Sequence, residues 1–312
     1  MARSATLEPP KTGRTASAKR RPVADDPGRR AEARTAFTLL IPVLVFFVAF
    51  QYYPIVKSVV ISFMDYGLLR QDRPFIGWTN YLRQLQDPLF LSALWNTLLF
   101  VAIVVVVGVV LALALAVLVE RTGRWATMYR TLYFLPVVTS LLATAMIWRW
   151  LYASNGLLNF IIGLFGGEPE AWLRSEALAL PSLMALTVWK NIGFDLILFS
   201  AALQAIPASY YEASSLEGAT PWQNFRFITL PQLRPILLLV TITAVIRSFQ
   251  VFTIVLAMTQ GGPIYSTRTL VYHIYEQGIQ YDEIGYASAA AVILLLIVGA
   301  LTLLQFRLGR ER

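Results

Sequence analysis

Six stretches of predominantly apolar residues, each about as long as a bilayer is thick, constrain this chain more than any motif does. They run roughly from Ala36 to Val56, Trp95 to Leu118, Leu132 to Tyr152, Leu180 to Leu203, Pro235 to Met258 and Ala287 to Phe306. A helix needs about 20 such residues to cross the hydrocarbon core, and inside it every backbone N–H and C=O must find a partner within the segment. Composition agrees, with 57% hydrophobic residues and only 14% charged. An all-α integral membrane protein follows, with six transmembrane helices over residues 36–306. The fourth stretch is the most polar.

Charge sets the expected orientation. The formal net charge is +8, yet nine basic residues lie in the first 34 positions, ahead of the first apolar run. That placement reads as a topology signal rather than a nucleic-acid footprint, and no nucleic-acid partner is expected. The segment 1–35, with KRRPVADDPGRR, shows no hydrophobic periodicity and is expected to be a disordered tail, retained rather than cleaved. Arg121, Arg124 and Arg130 fall in the second connection, and Arg307, Arg310 and Arg312 in the short C-terminus 307–312. By the positive-inside rule these belong on the cytoplasmic side, with both termini. The third connection (Arg174 against Glu168, Glu170, Glu176) and the fifth (Arg268 against Glu276, Asp282, Glu283) belong outside. No cysteine is present, which excludes thiolate metal or redox chemistry in this chain.

The segment 207–232 between the fourth and fifth runs is too structured for a plain connection. Ser209 and Glu212 have the spacing of a capping box, Gly218 suits the left-handed end of a short helix, and Thr220, Pro221 and Gln223 repeat the start signal. Trp222, Phe225 and Ile228, three apart, predict one apolar face before Pro231 and Pro235 interrupt the helix. On local physics, a protein-docking surface and an interfacial helix resting on headgroups fit equally.

The string EASSLEGA (212–219), with Phe225, Ile228, Leu230-Pro231 and Pro235, resembles the cytoplasmic loop of membrane subunits of binding-protein-dependent ABC importers. Ser214 stands where an alanine is usual and Glu217 where aspartate is common. YRTLYFLPVVTSLLATAMIWRWLY (129–152), GLLN (156–159), LQAIP (203–207), FQVFTIVLAMTQGGP (249–263) and TRTLVYHIYEQGI (267–279) resemble the carbohydrate-uptake subfamily, in order along residues 37–306. The resemblance implies the type I importer permease fold, with a cytoplasmic coupling helix pair carrying Glu212, Ala213, Gly218, Ala219, Trp222, Phe225, Ile228, Leu230 and Pro231. It implies a sugar or related polar solute carried into the cytoplasm of a bacterium or archaeon by alternating access. It also implies four kinds of partner: a second, non-identical permease subunit, a dimer of ATP-binding subunits, an extracytoplasmic solute-binding protein and the bilayer. No G-x-x-x-x-G-K-[ST] phosphate loop occurs, so the chain is expected to bind no cofactor, with ATP and Mg held by the partner ATPase.

Ionisable groups inside a span are costly and usually line a cavity or pair with one another. Asn191 and Asp195 share a face of the fourth run beside Trp189; Thr243, Arg247, Gln250 and Thr253 form a polar stripe on the fifth. The resemblance adds the positions around Gly193 and around Arg247, Ser248 and Val251. The expected substrate path is therefore Trp189, Asn191, Gly193, Asp195, Arg247, Ser248, Gln250 and Val251. Competing readings are an Arg247–Asp195 structural bridge, a snorkelling Lys190, Arg149 as an interfacial anchor and His273 in an outer loop. A self-contained secondary transporter or channel is the alternative function, and it would have no use for a capped cytoplasmic helix pair.

Overall fold

The computed structural model describes residues 27–310, with side chains for 35–309. It divides into two compact units, Met1–Ile55 and Val56–Arg312. In the first, α1 (Pro27–Phe47) runs through a π turn (Val48–Tyr52) into α2 (Tyr53–Ile61), which crosses the boundary at Ile55, and the stretch Thr35–Ile61 is apolar and unburied. Helix α1 starts inside the segment expected as tail, with Pro27 at its first position, where a missing N–H costs nothing. The rest of that expected tail, residues 1–26, lies outside the described residues.

The second unit is built from α3 (Thr79–Gln86), α4 (Pro88–Glu120), α5 (Ala126–Val138), α6 (Leu141–Leu151), α7 (Leu157–Leu164) and α8 (Glu176–Gln204). After them come α9 (Ala208–Leu216), α10 (Pro221–Asn224), α11 (Leu230–Gln232), α12 (Arg234–Phe249), α13 (Thr253–Met258), α14 (Leu270–Tyr275) and α15 (Ile284–Arg310). Among the described residues, four helical stretches are long and apolar enough to span, and there are six if each of two bent pairs is one span.

Helix α4 begins two turns ahead of the expected Trp95, because Asp87 accepts from the Leu89 N–H at 2.8 Å and Pro88 takes the first position. Its face Gly108, Ala112, Ala116 is buried, and this four-residue rhythm of small side chains allows close approach of neighbouring helices. Val101, Val105 and Val109 continue that face against Leu196 and Phe199 of α8 and Val240 and Phe249 of α12. Val106, Val110 and Leu111 on the other side are exposed, as lipid-facing residues are.

Two expected spans are not continuous. The third bends by 96° between α5 and α6, where Thr139 and Ser140 take extended backbone. The fifth, expected from Pro235 to Met258, stops at Phe249 and resumes as α13 at Thr253, while the 68° bend at Leu233 lies ahead of it, where Pro231 and Pro235 were expected to interrupt the helix. Apolarity reports burial or lipid contact, not continuity of the helix, so both breaks were hidden inside qualifying runs.

The connection expected between the fifth and sixth runs is a folded cap rather than an open loop. His273, expected in an outer loop, is fully buried on α14, edge-on to the rings of Phe90 and Tyr286. Arg268, 2% exposed, pairs with Glu276. Asp282 accepts from the N–H groups of Leu68 and Leu69 at 2.6 and 2.9 Å, Gly285 N–H donates to Tyr66 O at 2.8 Å, and Arg83 pairs with Glu283 at 2.6 Å. Segments some 200 positions apart are thereby joined. Those backbone donors hold the Asp282 carboxyl below its usual range, while burial, with the nearby Arg268 charge, pushes His273 down to about 4.

Candidate functional site: an intramembrane cavity and a helical turn

A cavity of about 350 Å³ opens between α8, the α5–α6 break and the end of α12. Lys190, Asn191 and Thr187 come from α8, Val137, Thr139 and Leu141 from the break, and Arg247, Gln250, Val251 and Thr253 from the fifth span. The lining exists because α12 ends at Phe249: Gln250 leaves the helix, so its side chain and the Val251 backbone turn into the space between helices. Arg247 donates through Nη2 to Asp195 Oδ1 at 2.6 Å and lies 5.1 Å over the Phe194 ring. Its Nε is buried without a partner. Asp195, 3% exposed, sits behind the arginine rather than in the cavity. The bridge weighed against a substrate role is thus formed, and it orients the guanidinium at the cavity wall.

Three of the other expected path residues are elsewhere. Gly193 is where α8 and α5 touch, since a Cβ there would lie 1.9 Å from Tyr133 O; it is a packing glycine. Ser248 is buried between helices, beside Asp195 and Ala244. Trp189 stands on the outer side of α8, its ring 5.3 Å from Trp148, along an apolar groove with Pro136 and Val188. Thr243, in the expected stripe, bonds back to Leu239 O and Val240 O of its own helix. Asn191, Arg247, Gln250 and Val251 are the four that converge, and Thr139, Thr187 and Lys190 complete the wall. Lys190 does not snorkel; it is 7% exposed and donates to the carbonyls at the α5 end. Arg149 reaches Ala257 O at 3.3 Å.

The turn between α8 and α12 is locally determined. Helix α9 ends at Gly218, whose φ of +77° is the left-handed value, with Ala219 N–H on Ser214 O at 3.0 Å and Gly218 N–H on Ser215 O at 3.1 Å. Thr220 and Gln223 form the expected capping box: Thr220 N–H donates to Gln223 Oε1 at 2.7 Å, and Gln223 N–H to Thr220 Oγ1 at 3.4 Å. The first box is absent. Pro207, not Ser209, precedes α9, so Ser209 lies inside the helix and Glu212 is exposed at its middle. A π turn at Phe225–Thr229 alters the angular spacing of the second arm. Phe225 and Ile228 are accordingly half-buried, and the exposed apolar groups are Trp222, Phe227 and, at the tip, Leu216, which is 90% exposed. Tyr211 and Thr229 hydroxyls meet at 2.9 Å and tie the arms together, with Ala213 and Ala219 between these anchors in the chain and Leu230 and Pro231 just after them.

Residues 104–311 match the family described as binding-protein-dependent transport system inner membrane component. The chain belongs to that family. The permease is 34% identical over 278 residues to the lactose transport system permease protein of Rhizobium radiobacter, covering 87% of this chain and 92% of the relative. It is 32% identical over 275 residues to the sn-glycerol-3-phosphate transport system permease protein of Pectobacterium atrosepticum, covering 87% and 92%. The arabinooligosaccharides transport system permease protein of Halalkalibacterium halodurans is 31% identical over 276 residues, covering 87% and 86%. Among solved structures, a chain of a bacterial ABC transporter involved in import of the acidic polysaccharide alginate superposes with a TM-score of 0.80 at 22% identity, covering 91% of the permease and 98% of that chain. The type I permease fold is therefore present, and the molecule is a membrane-embedded subunit of an ABC importer.

Leu216 and Phe227 went unnoticed in the sequence. The first lies one residue before the terminal Glu217–Gly218 pair, a signal that a helix tip projects there; the second needed the π turn to be visible. Thr139 was announced only by Pro136 and Ser140 inside an apolar run.

Proposed function

We propose that the permease moves a sugar or a related polar solute through the 350 Å³ cavity into the cytoplasm, driven by ATP hydrolysed on partner subunits. The observation that carries this reading is the convergence of Asn191, Arg247 and Gln250, amide and guanidinium groups suited to hydroxyls, on one space midway along two membrane spans. The relatives' names, which specify lactose, sn-glycerol-3-phosphate and arabinooligosaccharides, support the solute class. Both termini lie in the cytoplasm in this reading, as the arginine distribution favours. The turn 207–232 then faces the ATP-binding subunit dimer, which holds ATP and Mg, and presents Leu216, Trp222 and Phe227 to it. A second permease subunit closes the path, and a solute-binding protein delivers to the cap.

The test is reconstitution. The complex that co-purifies with this chain is placed in liposomes, and uptake of labelled lactose and sn-glycerol-3-phosphate is followed with ATP inside. Uptake that requires ATP and is lost in Gln250→Leu supports the reading. Recovery of the chain alone, with uptake independent of ATP, makes it a self-contained transporter and overturns the assignment.

A further inference from the structure

The bend in the third span exposes a problem that membranes make severe. The last carbonyls of a helix have no partner within it, and at membrane depth no bulk water replaces them. At the end of α5 the carbonyls concerned are Pro136 O, which also takes the Thr139 N–H at 3.2 Å, Val137 O, and Thr139 O in the break itself. Lys190 of α8 meets them all: its Nζ donates to Thr139 O at 2.7 Å, lies 3.2 Å from Val137 O and 3.1 Å from Thr139 Oγ1, and contacts Pro136 O. Three N–H donors face four acceptors, and the ammonium stands at the negative end of the α5 dipole. The hydroxyl of Thr139 donates to Pro136 O at 2.6 Å and meets Thr144 Oγ1 at 3.0 Å, so the same cluster reaches the first turn of α6.

The charge is thus spent on the helix break rather than on the cavity it borders. Loss of these bonds would free α5 to continue toward α6, because an uninterrupted helix satisfies the same carbonyls. Such straightening would move Val137, Thr139 and Leu141, which form one wall of the cavity.

We propose that Lys190 is a positioning residue for transport: it fixes the 96° bend of the third span and thereby the wall of the solute path opposite Arg247. The transport consequence rests on the path assigned above, whereas the bend itself is measurable without any solute. Because the chain has no native cysteine, Met128→Cys on α5 and Met146→Cys on α6, both exposed, report one distance across the break after spin labelling. Label on partner subunits is registered in the parent complex lacking the pair. In the purified complex in nanodiscs, the distance distribution is expected to be narrow with Lys190, broad or shifted to longer distance in Lys190→Met, and narrow again in Lys190→Arg. If Lys190→Met does not assemble, Lys190→Gln, which keeps two N–H donors without the charge, should show an intermediate width. A distribution unchanged in the Met variant, or in the Gln variant where that is the one measured, overturns the proposal. So does a failure of Arg to restore what Met removes. With lactose as probe, Lys190→Met should raise the half-saturating concentration by about tenfold, the scale of a lost charged hydrogen bond, and Lys190→Arg should recover most of it. Absence of lactose uptake in the parent complex would count against the path assignment and leave the distance result standing.

Discussion

The turn between α8 and α12 and the cap on the far side of α4 are both compact polar structures, yet they are wired in opposite ways. Within the turn, Gly218, the Thr220–Gln223 box and the Tyr211–Thr229 pair close over at most 18 positions. In the cap, Asp282 with Leu68 and Arg83 with Glu283 join residues 214 and 200 positions apart. A locally closed turn keeps its shape when the helices on either side shift, as the ATPase-facing role proposed for it, that of a lever, requires. The cap keeps its shape only while the elements around it stay together, so it behaves as a clamp on the fold.

This contrast yields a ranked set of outcomes. Glu276→Gln leaves the buried Arg268 guanidinium without its counter-charge and should cost about 3–5 kcal/mol, read as a lower melting temperature of the purified complex in detergent. If it melts normally, the cap is not the clamp described here. His273 should make stability pH-dependent. Folded His273 takes its proton only near about 4 and the unfolded chain near 6.5, so the unfolded state is protonated first as pH falls. Stability is therefore lost from about pH 6.5 down to about 4, by about 3 kcal/mol in all, and melting curves of His273→Gln across that range should lack this slope.

Gly218→Ala addresses the lever. An alanine at a φ of +77° costs about 1 kcal/mol, and no neighbour crowds the site. The complex should assemble and melt nearly as before while ATP-driven uptake drops; uptake matching the parent protein would mean the turn needs no fixed shape. The smallest effect belongs to Asp282, whose carboxylate is exposed. Its lowered folded pKa means the bonds it accepts are present above the unfolded value near 3.9 and are lost only as pH falls below that. Hydrogen exchange at the Leu68 and Leu69 amides should therefore be slow at neutral pH, faster in Asp282→Ala, and little changed in melting temperature. Faster exchange from Gly218→Ala at those amides would erase the distinction between lever and clamp.

Much of the turn was legible beforehand, because a helix stop at glycine and a Thr-Pro-x-Gln start are decided by residues within one helical turn. Where that reading failed, at Ser209, the cause was two residues of register, since Pro207 took the start position; beyond Phe225, which still stacks on Trp222, a π turn changed the spacing toward Ile228. The cavity was less legible. Spacing placed Asn191 beside Asp195 and Arg247 beside Gln250, but did not show that Asp195 stands outside the cavity while the other three line it. Gly193 looked like a site residue and proved to be a helix contact with Tyr133.

Apolar run length, arginine placement and cap residues by themselves determined a membrane protein of six apolar runs, with a structured turn between the fourth and fifth. These features depend on the partition of side chains between water and lipid and on backbone groups a few positions away, and both are written locally. Only the tertiary structure decided that the third and fifth spans break, that Lys190 serves the broken end and that Asp195 stands behind Arg247. An unpaired carbonyl or a buried charge takes whichever partner packing brings within about 3 Å, and for Lys190 and Thr139 that partner lies 51 positions away.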